Sequence, residues 1–466
     1  NMPLILPGNV ATATASTTYE VANSVRFNKA DAPALKRNSM GTATNRKKWT
    51  LSMWVKRSTT AQAMLASFDG AKSYFQFQSG GQLEVNDVPG SSFNYRLVTN
   101  AIYRDIAAWM HIVVAYDSTQ GTDTNRLKLY VNGAQPTLGT ATYPDQNFEP
   151  EVNSTGSHKY GSYDDSADFA FDGYFAEIVF IDGTQYAASD FGEFDEDSPT
   201  IWKPKDPSGL TFGTNGHYLD FEASGNLGND VNGGTDFDEN NIVAGDQSTD
   251  TCTNNFATWN SLFRKGTTTP AFAEGNLKST FDDGGANEFA LTTFGVSAGK
   301  WYAEVKWTSN TGTAATATGI LDMAYTGTDD PNNAVTNAFG YFGSGTKNVS
   351  GTASSYGNSY ADGDIIGIAI DMDNNKLYFS KNGTFQDSGD PTSGSTGTGA
   401  ISIVSGVTYG IFASDYNSQV AELNTGSPPF SISSGNSDAN GYGNFEYAVP
   451  SGYLAICTKN LGSDGG

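Results

Sequence analysis

One acidic stretch of the sequence gathers oxygen-bearing side chains that could bind a metal ion. The run "NDVNGGTDFDEN" (229–240) places Asp230, Asp236, Asp238 and Glu239 among glycines. Carboxylate oxygens are the ligands that Ca²⁺ prefers. The same residue types are common in solvated loops, because Gly, Asn and Asp supply turn geometry. The stretch therefore predicts either a calcium site, with Ca²⁺ as the one cofactor suggested, or a plain acidic loop.

Aromatic side chains near turns form a second group that could bind a ligand. An exposed tyrosine offers an apolar ring for stacking and a hydroxyl for hydrogen bonding. Four tyrosines in or beside turn-rich stretches of the second half are predicted to contact a ligand: Tyr341, Tyr356, Tyr360 and Tyr416. Ordinary packing is the alternative for each of them.

Other residue types that support catalysis lack the required arrangement. The histidines are His111, His158 and His217, and His111 falls inside a strand pattern, where packing is the expected role. No His or Cys cluster has metal-ligand spacing, and the G-x-S-x-G elbow is absent. We predict no catalytic residue and no enzymatic activity. Cys252 and Cys457 could form one disulfide, which the sequence leaves open.

Length and charge restrict the classes of partner. The chain has 466 residues, which predicts two or three domains. Its formal net charge of −24 should repel nucleic acid and anionic membranes. The apolar run "IIGIAI" (365–370) is too short to span a membrane, and the start "NMPLILPGNV" lacks the pattern of a signal peptide. We expect neither nucleic-acid binding nor membrane insertion.

Strand patterns with frequent turn signals run through most of the sequence. In residues 48–58, Trp49, Leu51 and Met53 alternate with polar residues, as on a half-buried strand. Further strands are predicted at 109–117, 125–135, 171–183, 217–222, 299–307, 364–385, 407–415 and 451–460, and a short helix at 186–194. The strand tryptophans are predicted to be core residues: Trp49, Trp54, Trp109 and Trp301. The fold class is all-β, with two tandem antiparallel β-sandwiches and a boundary near residue 250.

Two similar hairpins occur half a chain apart. "KLYVNGAQ" (128–135) and "KLYFSKNGTF" (376–385) both continue a strand into an Asn-Gly pair. Asn-Gly predicts a type I′ turn, which needs positive φ at both residues. The surrounding segments do not align, so we interpret the pair as shared sandwich geometry and not as a tandem repeat.

Each half of the chain resembles a known family. The first half resembles laminin-G/pentraxin-type concanavalin A-like domains through "VRFN" (25–28), "WTLSMWVKRS" (49–58), "WMHIVVAYD" (109–117), "LKLYVNG" (127–133) and "FDGYFAEIVFIDG" (171–183). The second half resembles SPRY domains through "GKWYAEV" (299–305), "YADGDIIGIAIDMDNNKLYFSKNGT" (360–384) and "TYGIFASD" (408–415). The resemblance implies a concanavalin A-like jelly roll over 25–249 and a SPRY-like sandwich with a C-terminal tail over 250–466.

The resemblance also bears on function. Edge loops of such sandwiches bind glycans or proteins, and some relatives of the first type hold calcium at the sandwich rim. Hydrolases of the concanavalin-like fold often carry Glu-x-Asp-x-x-Glu on one strand. The nearest match, "EFDEDS" (193–198), has Ser198 in place of the second Glu. This departure argues against glycosidase activity.

The domain pair is similar to virion proteins of tailed phages, particularly marine ones. It implies a fibre or spike component on the particle surface that binds host-surface glycan or protein. The chain would be made in the host cytoplasm and form a homo-oligomer, with a trimer favoured. Two alternatives remain open: an architectural head-decoration or tail-assembly protein that contacts other virion proteins alone, and a bacterial surface adhesin or carbohydrate-binding module.

Residues 1–24 are predicted to be a docking arm. This Thr/Ala-rich stretch contains one apolar patch, Leu4, Ile5 and Leu6, and no clear period. On the virion hypothesis the arm would attach the chain to other virion proteins. A frayed terminus is the alternative interpretation.

Overall fold

The predicted strand patterns form antiparallel sheets in a computed structural model of the protein. The structure describes residues 19–163, 166–263, 270–281, 288–309, 316–327, 329–331, 335–415 and 418–464. The described chain divides into two compact units between Thr253 and Asn254. Residues 19–253 are called the N-terminal unit and residues 254–464 the C-terminal unit.

The described part of the N-terminal unit contains seventeen strands. They are β1 Ser24–Phe27, β2 Ala34–Arg37, β3 Lys48–Arg57, β4 Ala63–Phe68, β5 Ser73–Phe77, β6 Leu83–Asp87, β7 Tyr95–Thr99, β8 Trp109–Asp117, β9 Leu127–Val131, β10 Leu138–Thr142, β11 His158–Tyr160, β12 Gly173–Asp182, β13 Gly192–Phe194, β14 Trp202–Pro204, β15 His217–Leu219, β16 Asp238–Asn240 and β17 Gln247–Ser248.

Most of these strands form two sheets that pack face to face. Sheet 1 has the order β17-β1-β12-β3-β8-β9, with β15 beside β12, and sheet 2 has the order β10-β7-β6-β5-β4-β11-β2-β16. Trp49 of β3 stacks on Phe75 of β5 with ring centroids 6.1 Å apart, so apolar side chains of both sheets share one core. Strands β13 and β14 form a separate ribbon.

The described part of the C-terminal unit contains fifteen strands. They are β18 Ala271–Ala273, β19 Lys278–Thr280, β20 Glu288–Leu291, β21 Lys300–Ser309, β22 Ala317–Asp322, β23 Ala338–Phe342, β24 Thr346–Val349, β25 Thr352–Ser355, β26 Ile365–Asp371, β27 Lys376–Lys381, β28 Thr384–Phe385, β29 Ile401–Ser402, β30 Tyr409–Asp415, β31 Val420–Asn424 and β32 Leu454–Ala455.

These strands also form two sheets with buried contacts between them. Sheet 3 has the order β18-β19-β31-β21-β26-β27-β28, with β29 beside β27 and β32 beside β21, and sheet 4 has the order β20-β30-β22-β23-β24-β25. Trp307 Nε1 of β21 donates to Thr318 Oγ1 of β22 at 3.1 Å, which links the two sheets. The predicted all-β class with tandem sandwiches is confirmed, and the four predicted core tryptophans are buried.

Helical structure is scarce among the described residues. The helix α1 spans Thr458–Asp464, and short 3₁₀ helices occur at Lys29–Asp31, Asp123–Asn125, Ala188–Asp190, Ala244–Asp246, Gln386–Ser388 and Pro391–Thr396. The predicted helix at 186–194 is therefore wrong apart from the 3₁₀ turn at Ala188–Asp190, because a strand begins at Gly192. No helix in the described segments is long and apolar enough to cross a membrane. Cys252 and Cys457 are free thiols.

The two Asn-Gly hairpins have the predicted backbone geometry. Asn132 and Gly133 have φ of 48° and 77°, and Asn382 and Gly383 have the same pair of values. Positive φ at both central residues is the requirement of a type I′ turn. The prediction from these dipeptides is confirmed.

Gly133 also allows a close approach of Trp202, which gives a stability prediction. A Cβ atom at Gly133 would lie 2.3 Å from the indole ring of Trp202. We expect Gly133→Ala to lower the free energy of unfolding by about 3 kcal/mol, from strained φ plus overpacking. Gly233→Ala is the matched control, because Gly233 also has positive φ but no atom within 4 Å of the added Cβ. Its free energy of unfolding, measured by urea titration, should fall by about 1 kcal/mol. Equal losses of unfolding free energy in the two variants would contradict the packing argument.

Candidate binding face

Three neighbouring strands of sheet 2 present polar side chains on the face that points away from the core. Phe75, Val85 and Leu97 of β5, β6 and β7 lie in the core shared with sheet 1. Since side chains alternate along a strand, the residues between them point to the opposite face, and these are Tyr74, Gln76, Glu84, Asn86 and Arg96. In register, Gln76 pairs with Glu84, and Asn86 pairs with both Tyr74 and Arg96.

Glu84 is the centre of a hydrogen-bond network on this face. Its Oε1 accepts from Arg96 Nε at 2.6 Å and from Asn86 Nδ2 at 3.1 Å. Its Oε2 accepts from Gln76 Nε2 at 2.9 Å and from Gln78 Nε2 at 2.7 Å. The carboxylate is buried and four donors saturate it, so the surrounding side chains are held in fixed positions.

The network keeps Glu84 ionised. Burial alone would raise the pKa of Glu84, but the hydrogen bonds from Arg96, Gln78, Gln76 and Asn86 outweigh it and lower the pKa below its ordinary value. Hydrogen bonds to the charged form of a carboxyl favour that form. The face therefore contains a stable carboxylate paired with a guanidinium.

Two exposed aromatic rings flank the network. Phe93 is 40% exposed and lies under the Arg96 guanidinium, 4.7 Å from its carbon. Tyr163 is 37% exposed and meets the ring of Tyr74 edge-on at 6.0 Å. Large exposed aromatics beside a rigid polar network are typical of recognition surfaces. We call the outer face of β5–β7 with Phe93 and Tyr163 the Glu84 face.

The residues of the Glu84 face were not among those predicted from the sequence. The sequence pattern that indicates these residues is a polar residue between apolar residues, as in "YFQF", "LEVN" and "YRLV". Each polar residue occupies the outward position of a strand, and alternation predicts that position. The sequence does not show that the three strands are neighbours, and this pairing creates the network.

A serine–histidine pair on the other sheet has the wrong proton arrangement for nucleophilic catalysis. Ser52 Oγ lies 2.7 Å from His111 Nε2, and Trp202 Nε1 donates to His111 Nδ1 at 2.9 Å. Indole N–H can only donate, so Nδ1 carries no proton and Nε2 carries one. Nε2 therefore donates to Ser52 and cannot accept its proton, as a general base must. Burial lowers the pKa of His111 to about 3, so the ring stays neutral.

The structure places three of the four predicted ligand-binding tyrosines inside the C-terminal unit. Tyr341, Tyr356 and Tyr360 are at most 7% exposed. Tyr341 lies on β23 with its ring 5.7 Å from that of Phe379 of β27, and Tyr360 Oη donates to the Tyr341 carbonyl at 2.7 Å. Their burial agrees with ordinary packing, the alternative stated for each of them, because these rings fill space between sheets 3 and 4. A buried ring offers no face on which a ligand could stack.

The predicted calcium ligands do not converge on one point. Asp230 Oδ1 accepts from the backbone N–H of Tyr218 at 2.9 Å, and Asp236 Oδ1 accepts from that of Asp230 at 3.0 Å. Glu239 also accepts from backbone N–H groups, and Asp238 is exposed on β16. Among the residues that the structure describes, no group of three or more His, Cys, Asp or Glu side chains could hold a metal ion. Asp230, Asp236 and Glu239 instead cap backbone N–H groups in and beside the acidic loop.

Four residues with predicted roles lie outside the described part of the chain. They are the apolar arm residues Leu4, Ile5 and Leu6, and the fourth tyrosine, Tyr416. Their roles in docking and in ligand binding stay predictions.

Two family models match separate regions of the chain. The model described as the concanavalin A-like lectin/glucanases superfamily matches residues 29–188, and the SPRY domain model matches residues 300–406. The chain carries a concanavalin A-like domain and a SPRY domain. This confirms the two resemblances drawn from the sequence, and the Glu84 face lies within the concanavalin A-like region. A search of curated proteins found no match.

Solved structures of both kinds are similar to parts of the chain. The SPRY domain of human HERC1 matches at 20% identity over 32% of this chain and 87% of that one, with a TM-score of 0.25. A candidate carbohydrate-binding protein of Bacteroides ovatus matches at 14% identity over 48% of this chain and 59% of that one, with a TM-score of 0.32. A heptameric SAP-like pentraxin of Limulus polyphemus matches at 13% identity over 36% and 80%, with a TM-score of 0.26.

Proposed function

We propose that the protein is a non-enzymatic binding protein that recognises a glycan through the Glu84 face. The observation that carries this proposal is the saturated carboxylate of Glu84, which holds Arg96 and three amide side chains in place between two exposed aromatic rings. A site whose polar groups are fixed before binding loses little conformational entropy when the ligand arrives.

The chemistry of the face suits a sugar. Each sugar hydroxyl can donate and accept, and two partly exposed side chains of this face, Arg96 and Gln78, offer guanidinium and amide donors and an amide acceptor. The C–H faces of a sugar ring are apolar, and Phe93 and Tyr163 offer apolar rings at the edges of the network. Arg96 is 31% exposed, so a ligand can reach it, while Glu84 beneath it is 2% exposed and acts by positioning.

A glycan array tests this proposal. The full chain should bind a defined set of glycans, and Phe93→Ala and Tyr163→Ala should each reduce that binding at least tenfold by removing about 1.4 kcal/mol of contact energy. Phe194→Ala is the matched control, because Phe194 is a similarly exposed phenylalanine on β13, outside the Glu84 face. No array binding, or equal losses in all three variants, would contradict the proposal. Binding that is found only with host proteins would favour a protein partner.

The lack of enzymatic activity is part of the proposal, and the Ser52–His111 geometry supports it. We expect a fluorophosphonate probe, which modifies activated serines, to leave Ser52 unmodified over hours. The reason is that His111 Nε2 donates to Ser52 and cannot remove its proton. Intact-mass and peptide mass spectrometry measure the adduct, with an active serine hydrolase in the same tube as positive control. An adduct on Ser52 would overturn this assignment.

We further propose that the protein is a fibre or spike component on the surface of a tailed-phage particle. The support is the resemblance of the domain pair to such proteins, and an acidic surface charge that suits a protein exposed to solvent. Symmetric copies, with a trimer favoured, would bind through several weak glycan sites at once and so gain avidity. In this arrangement the N-terminal arm contacts other virion proteins.

Electron microscopy of phage particles labelled with gold-conjugated antibody to this chain tests the virion proposal. Label at a fibre or spike tip, together with adsorption of the purified protein to host cells, is the expected result. Label on particles without adsorption would favour the architectural alternative. Label on bacterial cells but not on particles would favour an adhesin.

A further inference from the structure

Three oxygen atoms form a closed triangle on the face of sheet 1 that points away from the shared core. Tyr19 Oη and Tyr218 Oη each lie 2.7 Å from Glu177 Oε2 and 2.7 Å from one another. Glu177 is on β12, Tyr218 is on β15, and Tyr19 is the first residue that the structure describes. We call this group the Glu177 triangle.

The backbone at Glu177 is in a conformation that non-glycine residues seldom adopt. Its φ is +50°, and the register between β12 and β3 shifts between Ala176 and Val179, which marks a β-bulge. Bulges re-aim side chains, and a strained residue persists only where its surroundings fix it. The bulge aims the Glu177 carboxyl group at the two tyrosines.

The number of protons in the triangle determines the charge of Glu177. Each short O···O contact needs one proton between its two oxygens, so three contacts need three protons. Burial, followed by the nearby Glu177 carboxylate, raises the pKa of both Tyr19 and Tyr218, so each hydroxyl keeps its single proton. These supply two protons, and the third must come from the carboxylic acid form of Glu177. The acid then donates to one tyrosine, that tyrosine to the other, and the second tyrosine back to Oε2.

The surroundings also favour the neutral acid. Burial is the main cause that raises the pKa of Glu177, to about 7; the hydrogen bonds from Tyr218 and Tyr19 offset part of this rise, and the charges of Asp220 and Glu222 add to it. The charged and titratable residues around the triangle are Lys205, Asp206, Asp220, Glu222 and Cys252. Lys205 is the one cation in this set, and its Nζ donates to the Ser189 carbonyl at 3.1 Å.

We propose that Glu177 is a proton-operated latch that holds the root of the N-terminal arm, at Tyr19, on sheet 1 when the acid is protonated and releases it when the acid ionises. Ionisation removes one of the three protons, so two oxygen lone pairs face each other at 2.7 Å beside a buried charge. Detachment of Tyr19 removes both the repulsion between the facing lone pairs and the burial of the charge. Closed and released states then differ by one bound proton, which makes attachment of the arm depend on pH.

Hydrogen exchange of the backbone amides of residues 19–24 in the full chain tests the latch. The folded pKa lies above the ordinary value of 4.5, so the closed state binds the proton more tightly and is most stable below that value. Corrected for intrinsic exchange, the opening equilibrium should rise about tenfold per pH unit from 4.5 to about 7, roughly three-hundredfold in all, and level off above. Glu177→Gln should remove this dependence, because its two amide protons and one tyrosine proton fill the three contacts at any pH.

Two further variants keep the test decisive. Tyr19→Phe removes one corner of the triangle, so opening should increase at low pH and its pH dependence should shrink. Tyr130→Phe is the matched control, because Tyr130 packs on the same apolar cluster outside the triangle, and it should behave as the unmodified chain. The proposal is overturned if the unmodified chain shows no pH dependence, or if Glu177→Gln retains it. An infrared difference spectrum, taken at pH about 5 between the unmodified chain and Glu177→Gln, should show the band of a protonated carboxyl group. Absence of that band would also overturn the proposal.

Discussion

Replacing Asp250 by alanine should lower the free energy of unfolding of the N-terminal unit by about 3–5 kcal/mol. Asp250 Oδ2 lies 2.7 Å from Lys56 Nζ, and each side chain of this pair is 1% exposed. Asp250 Oδ1 also accepts from Trp109 Nε1 at 2.9 Å. The variant leaves the Lys56 ammonium buried opposite a methyl group, and a buried charge without its counter-ion is among the costliest single changes in a protein.

Urea titrations of the full chain, with hydrogen exchange to assign the transition to the N-terminal unit, measure this loss. Lys72→Ala is the control, because it breaks an equally close ion pair, 2.6 Å from Asp69, in which Lys72 is 46% exposed. Exposed pairs contribute about 0–1 kcal/mol, so this variant should change little. A loss in Asp250→Ala no larger than that of the control would contradict the assignment of a buried, structurally required pair.

Replacing Glu84 by alanine should strongly weaken glycan binding and lower the free energy of unfolding by about 3 kcal/mol. The variant removes the acceptor of four donors and leaves the Arg96 guanidinium without its carboxylate. Because the donors lose their fixed positions, we expect the dissociation constant to rise by at least a hundredfold. Isothermal titration calorimetry with a glycan found on the array measures this change.

Two variants separate the role of Glu84 from general destabilisation. Glu84→Gln keeps the shape of the side chain but not its charge, so its loss of stability should be smaller, and the difference from the unmodified chain should shrink at acidic pH. The sign follows from the lowered pKa of Glu84, whose ionised form stabilises the fold above the ordinary value and ceases to do so as the pH falls through the folded value. Glu149→Ala, at a 48% exposed position, is the control and should leave binding intact. Unchanged binding in Glu84→Ala would contradict the role of the network.

Local sequence determined much of the fold. The predicted strand at 109–117 coincides with β8, and both Asn-Gly turns have the expected φ values, because alternation and turn chemistry act between near neighbours. The predicted helix at 186–194 was wrong because a tertiary contact outweighed the local pattern. Its spacing of apolar residues resembles a helix, but Phe191 and Ala188 are buried against the outer face of sheet 1, and this tertiary contact favours a 3₁₀ turn followed by β13.

The candidate site was much less predictable than the fold. Tyr341 lies near turns in the sequence, yet it packs against Phe379 across two sheets, and a turn-rich context does not report such a contact. Conversely, Glu84 and Arg96 are separated by a loop, and their 2.6 Å contact exists only because β6 pairs with β7. The acidic loop left two interpretations open for a similar reason, since clustered carboxylates can cap a backbone as well as bind an ion.

Hydrogen exchange of the full chain with and without a glycan found on the array tests the central claim most directly. If the Glu84 face is the binding site, added protection should be confined to Ser73–Phe77, Leu83–Asp87, Tyr95–Thr99 and the adjoining loops that carry Phe93 and Tyr163. It should disappear in Glu84→Ala at the same glycan concentration. Protection located in the C-terminal unit, or on the outer face of sheet 1, would contradict the claim.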